Sequence, residues 1–282
     1  MEGLNDAQIS LLKTQGYLLV EDVLSPEVFR PLICELEQII DEKARRAHDA
    51  GDLETLFADE PFERRLARIC AALENPSEIL QSVQHKLKTE GMFKILTHPG
   101  LLAIVESLIG PEILAHPQFN LRAKLPNQKE TEVPWHQDLG YLQPDASETF
   151  MVNFWIPLVD ATRENGCMEV IAESHNCTLL QHHGEMGPGR NFKGIPDQDL
   201  PAGDRVPCPV RVGSVLLIQH KTIHRSIPNH SDHIRWSLDL RYSDPAMPTG
   251  RDYASGFIAH SLNHPDSVAH SLEDWLKQIE RA

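Results

Sequence analysis

The stretch IRWSLDLRY, residues 234–242, alternates between apolar and polar side chains along its length. Successive side chains of a β-strand point to opposite faces, so this pattern predicts a strand with one apolar and one polar face. The polar face carries Arg235, Ser237, Asp239 and Arg241, and the apolar face carries Ile234, Trp236, Leu238 and Leu240. We expect the apolar set to pack in a core between a sheet and helices.

Two other segments alternate in the same way. One places His116, Gln118, Asn120, Arg122 and Lys124 on a common face, and the other does so with Met151, Asn153 and Trp155. Three strands with one polar face each fit a barrel that encloses a polar cavity. The alternative is an ordinary antiparallel sheet whose polar face is wetted from outside, and the pattern leaves both open.

The chain changes character near residue 113. Residues 1–112 place apolar side chains at helical spacing, with Asn5 as N-cap and Gly16 as the end of a first helix. Residues 113–245 consist mainly of short alternating segments, and 246–282 form a C-terminal extension. Helices followed by many strands predict a helical buttress against a sandwich or barrel. Residues 181–206, rich in Gly, Pro, Asp and His, are expected to form a long loop that acts as a lid.

Composition limits the classes of partner. The 282 residues carry a formal net charge of −15 at pH 7, and an acidic surface repels phosphate backbones and anionic lipid. Neither nucleic acid nor a membrane is therefore expected as a partner, and the N-terminus lacks the basic and apolar regions of a signal peptide. The five cysteines show no paired spacing, which favours free thiols and a cytoplasmic location.

The segment PWHQDLGY, residues 134–141, is the strongest indication of chemistry. His136 and Asp138 are two residues apart, so in an extended chain both side chains can approach one metal ion. An apolar strand in GSVLLIQHKTIHRSIPN (213–229) leads to His224, which can supply a third ligand. Two histidines and one carboxylate form the facial triad of non-haem iron(II) oxygenases. The tripeptide alone is also compatible with a polar surface strand, and His224 alone with a structural histidine.

Arg235 follows His224 by eleven residues. Oxygenases with this triad commonly use 2-oxoglutarate, whose distal carboxylate requires a fixed cation. An arginine side chain can bind such a carboxylate through two parallel hydrogen bonds. The alternative is a surface arginine at the end of a strand.

Taken in order, these segments resemble the phytanoyl-CoA dioxygenase family of iron(II)/2-oxoglutarate oxygenases. The similarity runs through GYLLVEDVLSPEVF, FKILTHPGLLAIVESLIGPEI, WHQDLGY, ENGCMEVIAESH, GSVLLIQHKTIHRSIPN and IRWSLDLRY, and covers most of residues 5–245. The family fold is a double-stranded β-helix, a cupin-like jelly-roll barrel with N-terminal helices packed outside. The resemblance therefore implies one domain over 1–282, with its jelly-roll core in 113–245.

The resemblance also implies roles for individual residues. The iron ligands correspond to His136, Asp138 and His224. The distal carboxylate of 2-oxoglutarate corresponds to Arg235, with the hydroxyl of Ser226 beside it. The cosubstrate pocket is lined at positions that correspond to Asn120, Gln137 and Trp155. Substrate contacts are expected at Gln118, Arg122, Asn153, Asp239 and Arg241, although each could be structural, and Asp239 could simply pair with Arg241.

The chain departs from the family at several positions. A pocket lysine of some members falls near FKIL, where this chain has Glu90 or Gly91, with Lys86 and Lys88 nearby. Cys167 stands where a glycine is common. No basic cluster in the sequence matches the polyanionic carrier of an acyl-CoA, so such a substrate is not expected. The presence of Asp138 excludes the related halogenase arrangement, in which a small residue replaces the carboxylate.

The implied activity is an oxygenase that uses Fe(II), 2-oxoglutarate and O2 to hydroxylate, desaturate or cyclise a small organic molecule. Succinate and CO2 are the expected coproducts. One alternative is a jelly-roll protein that binds metal and 2-oxoglutarate without turnover, and another is a cupin-like enzyme that uses a different divalent metal without 2-oxoglutarate. The expected oligomeric state is a monomer or a homodimer.

Overall fold

The structure, a computed structural model, describes residues 2–84, 86–186, 192–251 and 254–280. Its helices are α1 (Asp6–Gln15), α2 (Arg30–Ala50), α3 (Phe62–Ala72), α4 (Ser77–Ser82), α5 (Glu90–Leu96), α6 (Pro99–Ile109) and α7 (Leu272–Glu280). Its strands are β1 (Tyr17–Val20), β2 (Ile113–Ala115), β3 (Asn120–Lys124), β4 (Val152–Pro157), β5 (Met168–Ile171), β6 (His183–Met186), β7 (Phe192–Gly194), β8 (Arg205–Cys208), β9 (Val215–Gln219), β10 (His224–Ser226), β11 (Arg235–Ser243) and β12 (Phe257–His260). Helices dominate before residue 113 and strands after it, as the sequence predicts.

The first helix begins and ends at the residues that its sequence specifies. The Asn5 side chain accepts a hydrogen bond from the Gln8 N–H, and the Gln8 side chain accepts one from the Asn5 N–H. This capping box satisfies backbone donors that a helix start leaves unpaired. At the other end Gly16 has a φ of 83°, a left-handed conformation that costs glycine little. The chain therefore turns directly from α1 into β1.

The strands form two main antiparallel sheets. In the larger sheet the order is β1-β9-β4-β11-β2-β12, with β3 also paired to β11, and the smaller sheet has the order β10-β5-β8. Apolar side chains of β4 and β9 pack against those of β5 and β8 between the two sheets. The sheets thus face each other as in a jelly roll, which confirms the predicted fold class, but they are not joined into a closed barrel.

The alternation on β11 separates two layers of the molecule. Trp236 and Leu238 are fully buried in the core shared with the helices, where the Phe62 ring stacks on Trp236 with centroids 5.0 Å apart. On the opposite face Arg235 and Arg241 are only 3% and 6% exposed. The polar face of β11 therefore lines the interior between the sheets. The alternative prediction, a polar face wetted from outside the sheet, is wrong for this strand.

Segments outside 113–245 complete the larger sheet. The N-terminal strand β1 pairs with β9, and β12 of the C-terminal extension pairs with β2. The core predicted at 113–245 is thus extended at both edges of the sheet by flanking strands. These strands pair backbone groups that an edge would otherwise leave open.

The region 181–206, predicted as a loop, contains regular structure. Strands β6 and β7 pair as an antiparallel two-stranded sheet, and β8 begins at Arg205. Strands β6 and β7 are short and each contains a glycine, so their sequences lack the apolar alternation that would predict a strand. Residues 187–191 of the predicted lid lie outside the described residues.

One helical stretch of the described residues, 90–109, has the length and hydropathy of a membrane span, and 44% of its apolar 18-residue segment is buried. In the structure it consists of two helices, α5 and α6, and the second begins at Pro99. Buried core helices pass the same test of length and composition, so the stretch is weak evidence for a span.

Candidate metal and cosubstrate site

The segment with the first two candidate ligands is not a regular strand. His136 forms a single antiparallel bridge with His224, through two reciprocal backbone hydrogen bonds of 3.0 Å, and a short 3-10 helix begins at Asp138. Between them Gln137 is extended, with φ of −109° and ψ of 135°. The side chains of His136 and Asp138 therefore still point the same way, as they would in a strand. The bridge brings His224, at the start of β10, beside them.

The three predicted ligands meet in one buried cluster. One ligand atom from each of His136, Asp138 and His224 lies within 4.8 Å of the others, and all three residues are buried. The Nδ1 of His136 is 2.9 Å from the Pro134 carbonyl oxygen, and that of His224 is 2.8 Å from the Thr222 carbonyl oxygen. Because a carbonyl only accepts, each Nδ1 carries the proton and each Nε2 keeps a lone pair for a metal.

The protonation states also suit a metal. Burial, together with the neighbouring His224, lowers the pKa of His136 to about 3, so its ring is neutral at pH 7. Burial alone would raise the pKa of Asp138, but the charge and the hydrogen bond of Arg241 lower it below the usual range of a carboxyl group. Metal ligation requires neutral imidazole and ionised carboxylate. His136 and Asp138 are therefore already in the protonation states that a divalent cation requires.

Two neighbours hold the Asp138 carboxylate in place. Arg241 donates a hydrogen bond to Oδ1, and the Asn153 side-chain amide donates one of 2.7 Å to Oδ2. The Oδ1 of Asn153 is buried and has no hydrogen-bond partner among the residues that the structure describes. Both residues were predicted as substrate contacts, and the structure places both on the metal-binding carboxylate. They therefore orient Asp138, as partners of metal ligands commonly do.

Two buried cations, Arg235 and Lys124, lie together in the interior between the two sheets. Arg235 is 3% exposed and lies over the Trp155 ring, 5.1 Å from its centroid. Its Nε donates to the Gly166 carbonyl at 3.1 Å. Lys124 is 2% exposed and donates to the Ser226 hydroxyl at 2.9 Å. Within the described part of the chain, neither cation forms an ion pair with a carboxylate.

Burial of these two cations side by side also lowers their pKa values. Burial, with the adjacent charge of Arg235, lowers the pKa of Lys124 to about 7. Burial lowers the pKa of Arg235 to about 10. A buried charge without a counterion is unfavourable, so two of them side by side favour a bound anion. Arg235 and Lys124 are therefore well suited to hold a carboxylate.

The metal cluster and the two cations line one cavity of about 380 Å³ between the sheets. The residues predicted from the sequence that line this cavity are His136, Asp138, His224, Arg235, Ser226, Trp155, Gln118, Arg122, Asn153, Asp239 and Arg241. The proposed pairing of Asp239 with Arg241 is wrong, because Asp239 accepts a 2.9 Å hydrogen bond from Arg122 on the neighbouring strand and Arg241 is held by Asp138.

Two of the predicted cosubstrate contacts, Gln137 and Asn120, are not among the residues that line the cavity. Gln137 lies between two ligands on an extended backbone, so its side chain points to the opposite side. There its amide donates to the Lys221 carbonyl at 2.9 Å and accepts from the Leu180 N–H at 2.8 Å. Gln137 thus fixes the backbone behind the metal ligands.

Lys124 is the important residue that the sequence did not single out as part of the site. Its place on a polar face was visible, but its position opposite Arg235 depends on the register between β3 and β11. The lysine within FKIL, Lys94, is exposed and pairs with Glu90, so it is not part of the cavity. A Cβ on Gly91 would lie 2.4 Å from the backbone nitrogen of Leu32, and Lys86 and Lys88 line a separate pocket.

Solved structures share this fold. The apo structure of the non-heme monooxygenase ThoJ matches with a TM-score of 0.60 and 20% identity, over 95% of this chain and 93% of that one. The epimerase SnoN, solved in complex with Fe3+, alpha ketoglutarate and nogalamycin RO, matches with a TM-score of 0.56 and 21% identity, over 87% of this chain and 86% of that one. At these identities the similarity establishes the fold.

Sequence comparison covers most of the chain. "Phytanoyl-CoA dioxygenase domain-containing protein 1" of Mus musculus is 29% identical over 192 residues, which are 66% of this chain. The match spans only about 60% of the length of that relative. The model of the family "Phytanoyl-CoA dioxygenase (PhyH)" matches residues 12–237. This range includes every candidate ligand and Arg235, and the chain belongs to the phytanoyl-CoA dioxygenase family.

Proposed function

We propose that this chain is an iron(II)/2-oxoglutarate-dependent oxygenase that acts on a small organic molecule. The observation that carries the proposal is one cavity that holds both a His-Asp-His donor set and two buried cations, neither of which forms an ion pair with a carboxylate of the described residues. A metal site alone would fit a simple binding protein. The added cation pair, Arg235 and Lys124, matches the far end of a dicarboxylate whose near end chelates the metal.

The protein's own residues prepare the site. When bound, iron(II), 2-oxoglutarate and O2 supply the oxidising chemistry, with succinate and CO2 as coproducts. His136 and His224 present Nε2 in fixed tautomers, and Asp138 presents a carboxylate held by Arg241 and Asn153. These three residues would hold a bound iron(II) and would leave it open positions for a chelating cosubstrate and O2.

The distal carboxylate of 2-oxoglutarate is assigned to Arg235 and Lys124. The planar guanidinium is held against Trp155 and the Gly166 carbonyl, so its orientation is set before binding. Lys124 adds a second charge, and Ser226 orients the ammonium by accepting its hydrogen bond. Together they favour a dianion over a neutral chelator.

The β6–β7 hairpin is assigned the role of lid. Phe192 on β7 lines the cavity, and the Tyr141 hydroxyl donates a 2.5 Å hydrogen bond to the carbonyl of Lys193. Tyr141 also contacts the metal ligand His136 edge to face, with ring centroids 5.5 Å apart. One aromatic residue therefore links the hairpin to the metal site, where exclusion of water is needed.

The test is succinate formation by protein loaded anaerobically with iron(II) and then exposed to 2-oxoglutarate and O2, with and without candidate substrates. His136→Ala should abolish succinate formation, while His48→Ala, at an exposed helical position, should leave it intact. Full turnover by His136→Ala would refute the proposal. Binding of metal and 2-oxoglutarate with no succinate under any condition would indicate the binding protein instead. Substrate oxidation that needs neither Arg235 nor 2-oxoglutarate would indicate the cupin-like enzyme.

We also propose a cytoplasmic location and a monomeric or homodimeric state. All five cysteines are free, and burial raises the pKa of Cys70 to about 12, which keeps it a thiol. Free buried thiols are typical of reducing compartments. Fractionation of cells and analytical ultracentrifugation of the purified protein test the two statements.

A further inference from the structure

One ion pair on the cavity wall has no task in the proposed oxygenase site. Arg122 of β3 donates from Nε to Oδ2 of Asp239 on β11 at 2.9 Å. The two side chains are 31% and 22% exposed, whereas the other cavity cations are almost completely buried. Both residues line the same cavity as the metal cluster. The pair is therefore accessible to a molecule that enters this cavity.

This pair leaves part of its hydrogen-bonding capacity open. Among the described residues, Nη1 and Nη2 of Arg122 donate no hydrogen bond, and Oδ1 of Asp239 accepts none. Arg241 differs, since its terminal nitrogens donate to the Gln118 carbonyl and to Asp138. The open end of Arg122 is a two-pronged donor, which matches a carboxylate. The open oxygen of Asp239 is an anionic acceptor, which matches an ammonium group.

The inference rests on the proposed function, in which each of the other charged side chains of the cavity already has a ligand or a partner. Asp138 binds the metal and is held by Arg241, and Arg235 with Lys124 takes the cosubstrate. An ion pair as accessible as Arg122–Asp239 contributes little to folding stability. Its place in the cavity that the metal cluster also lines, and the open groups on both partners, are therefore better matched to recognition of a ligand.

We propose that the substrate is a small zwitterion of the α-amino-acid type. Its carboxylate binds the Nη1 and Nη2 end of Arg122, and its ammonium group binds Oδ1 of Asp239. The cavity of about 380 Å³ lies near the lower end of the range for ligand pockets, and 2-oxoglutarate must share it. A compact substrate satisfies this volume, and the neighbouring opposite charges favour a molecule that carries both signs close together.

The test compares matched ligands in protein that holds Mn(II) and 2-oxoglutarate under anaerobic conditions, with binding measured by calorimetry. The probes are the standard α-amino acids, each beside the acid that lacks its amino group and the amine that lacks its carboxyl group. Succinate formation by the iron-loaded protein is measured with the same probes. The variants are Arg122→Gln and Asp239→Asn. The control is Arg65→Gln, which removes a partly buried pair with Asp41 in the helical layer.

The expected result is that at least one amino acid binds about 10-fold or more tightly than its matched acid and amine, and accelerates succinate formation. Asp239→Asn should weaken binding of the amino acid but not of the acid, Arg122→Gln should weaken both, and Arg65→Gln neither. The proposal is overturned if no amino acid exceeds its matched compounds, or if both cavity variants bind it as the wild type does. Amino-acid binding without any succinate would refute the oxygenase and still support the ligand class.

Discussion

Lys124 and Arg235 stand directly opposite each other on the paired strands β3 and β11, and both line the same cavity. Like charges directly opposed on a sheet are destabilising, and burial makes their repulsion stronger. No carboxylate of the described residues forms an ion pair with either of them. The fold therefore holds a site of positive potential that a bound dianion would relieve.

Loss of either cation should weaken binding of 2-oxoglutarate. A charge-assisted hydrogen bond contributes about 1.5–3 kcal/mol, so Arg235→Gln and Lys124→Met should each raise the Kd for 2-oxoglutarate by about 10- to 100-fold. Calorimetry on the Mn(II)-loaded protein without O2 measures this directly. Arg211→Gln, at an exposed ion pair with Glu21, is the control. An unchanged Kd in both cavity variants would place the cosubstrate elsewhere.

Binding of 2-oxoglutarate should also depend on pH through Lys124. Burial and the charge of Arg235 lower its pKa to about 7, against a weaker opposing effect of Glu132. Below pH 7 the ammonium is already charged and binds the dianion. Above pH 7 binding must take up a proton, so affinity should fall as pH rises, by at most about tenfold per pH unit.

The control for this pH dependence is Lys124→Met, which cannot take up the proton. Its Kd for 2-oxoglutarate should be higher than that of the wild type at pH 6 and nearly constant up to pH 9. The two carboxyl groups of 2-oxoglutarate remain ionised over this range, so they add no slope of their own. A wild-type Kd that is flat across the same range would contradict the assignment of Lys124.

Removal of the amide that holds Asp138 should weaken metal binding. Asn153→Ala deletes the 2.7 Å hydrogen bond to Oδ2, and loss of such a supporting contact commonly costs about 10- to 100-fold in metal affinity. Titration with Mn(II), followed by electron paramagnetic resonance, measures the change. Asn263→Ala, at an exposed position just after β12, should leave metal and 2-oxoglutarate binding intact. Equal effects of the two substitutions would contradict the positioning role of Asn153.

The helical layer should be needed for stability of the whole chain. Leu36 in α2 is fully buried, whereas Leu11 in α1 is 41% exposed. Leu36→Ala should lower the free energy of unfolding by about 2–5 kcal/mol, because it removes apolar contacts and leaves a cavity. Leu11→Ala should change it by less than about 0.5 kcal/mol. Chemical denaturation of both variants gives the comparison, and similar losses would show that α2 is not part of the core.

The amino-acid sequence alone determined the features that depend on near neighbours. The capping residues Asn5 and Gln8 predict where α1 begins, and alternation on 234–242 predicts which face of β11 is apolar. The spacing of His136 and Asp138 is enough to bring both side chains to one side of an extended backbone. Short-range geometry explains each success, since a few residues set the local backbone. The pairing of β6 with β7 was not predicted, because these short strands lack apolar alternation and their region was expected to be a loop.

The tertiary structure alone decided which polar side chains meet. Alternation assigns a face to Lys124 and Asp239, but the register of β3 against β11 selects Arg235 and Arg122 as their neighbours. Those contacts join residues more than a hundred positions apart, and no local pattern encodes them. The same holds for Gln137, whose orientation away from the cavity follows from the ligands on either side of it. Pairing of distant strands thus brings these polar residues together in one cavity, which contains the metal cluster, the Lys124–Arg235 cation pair and the Arg122–Asp239 ion pair.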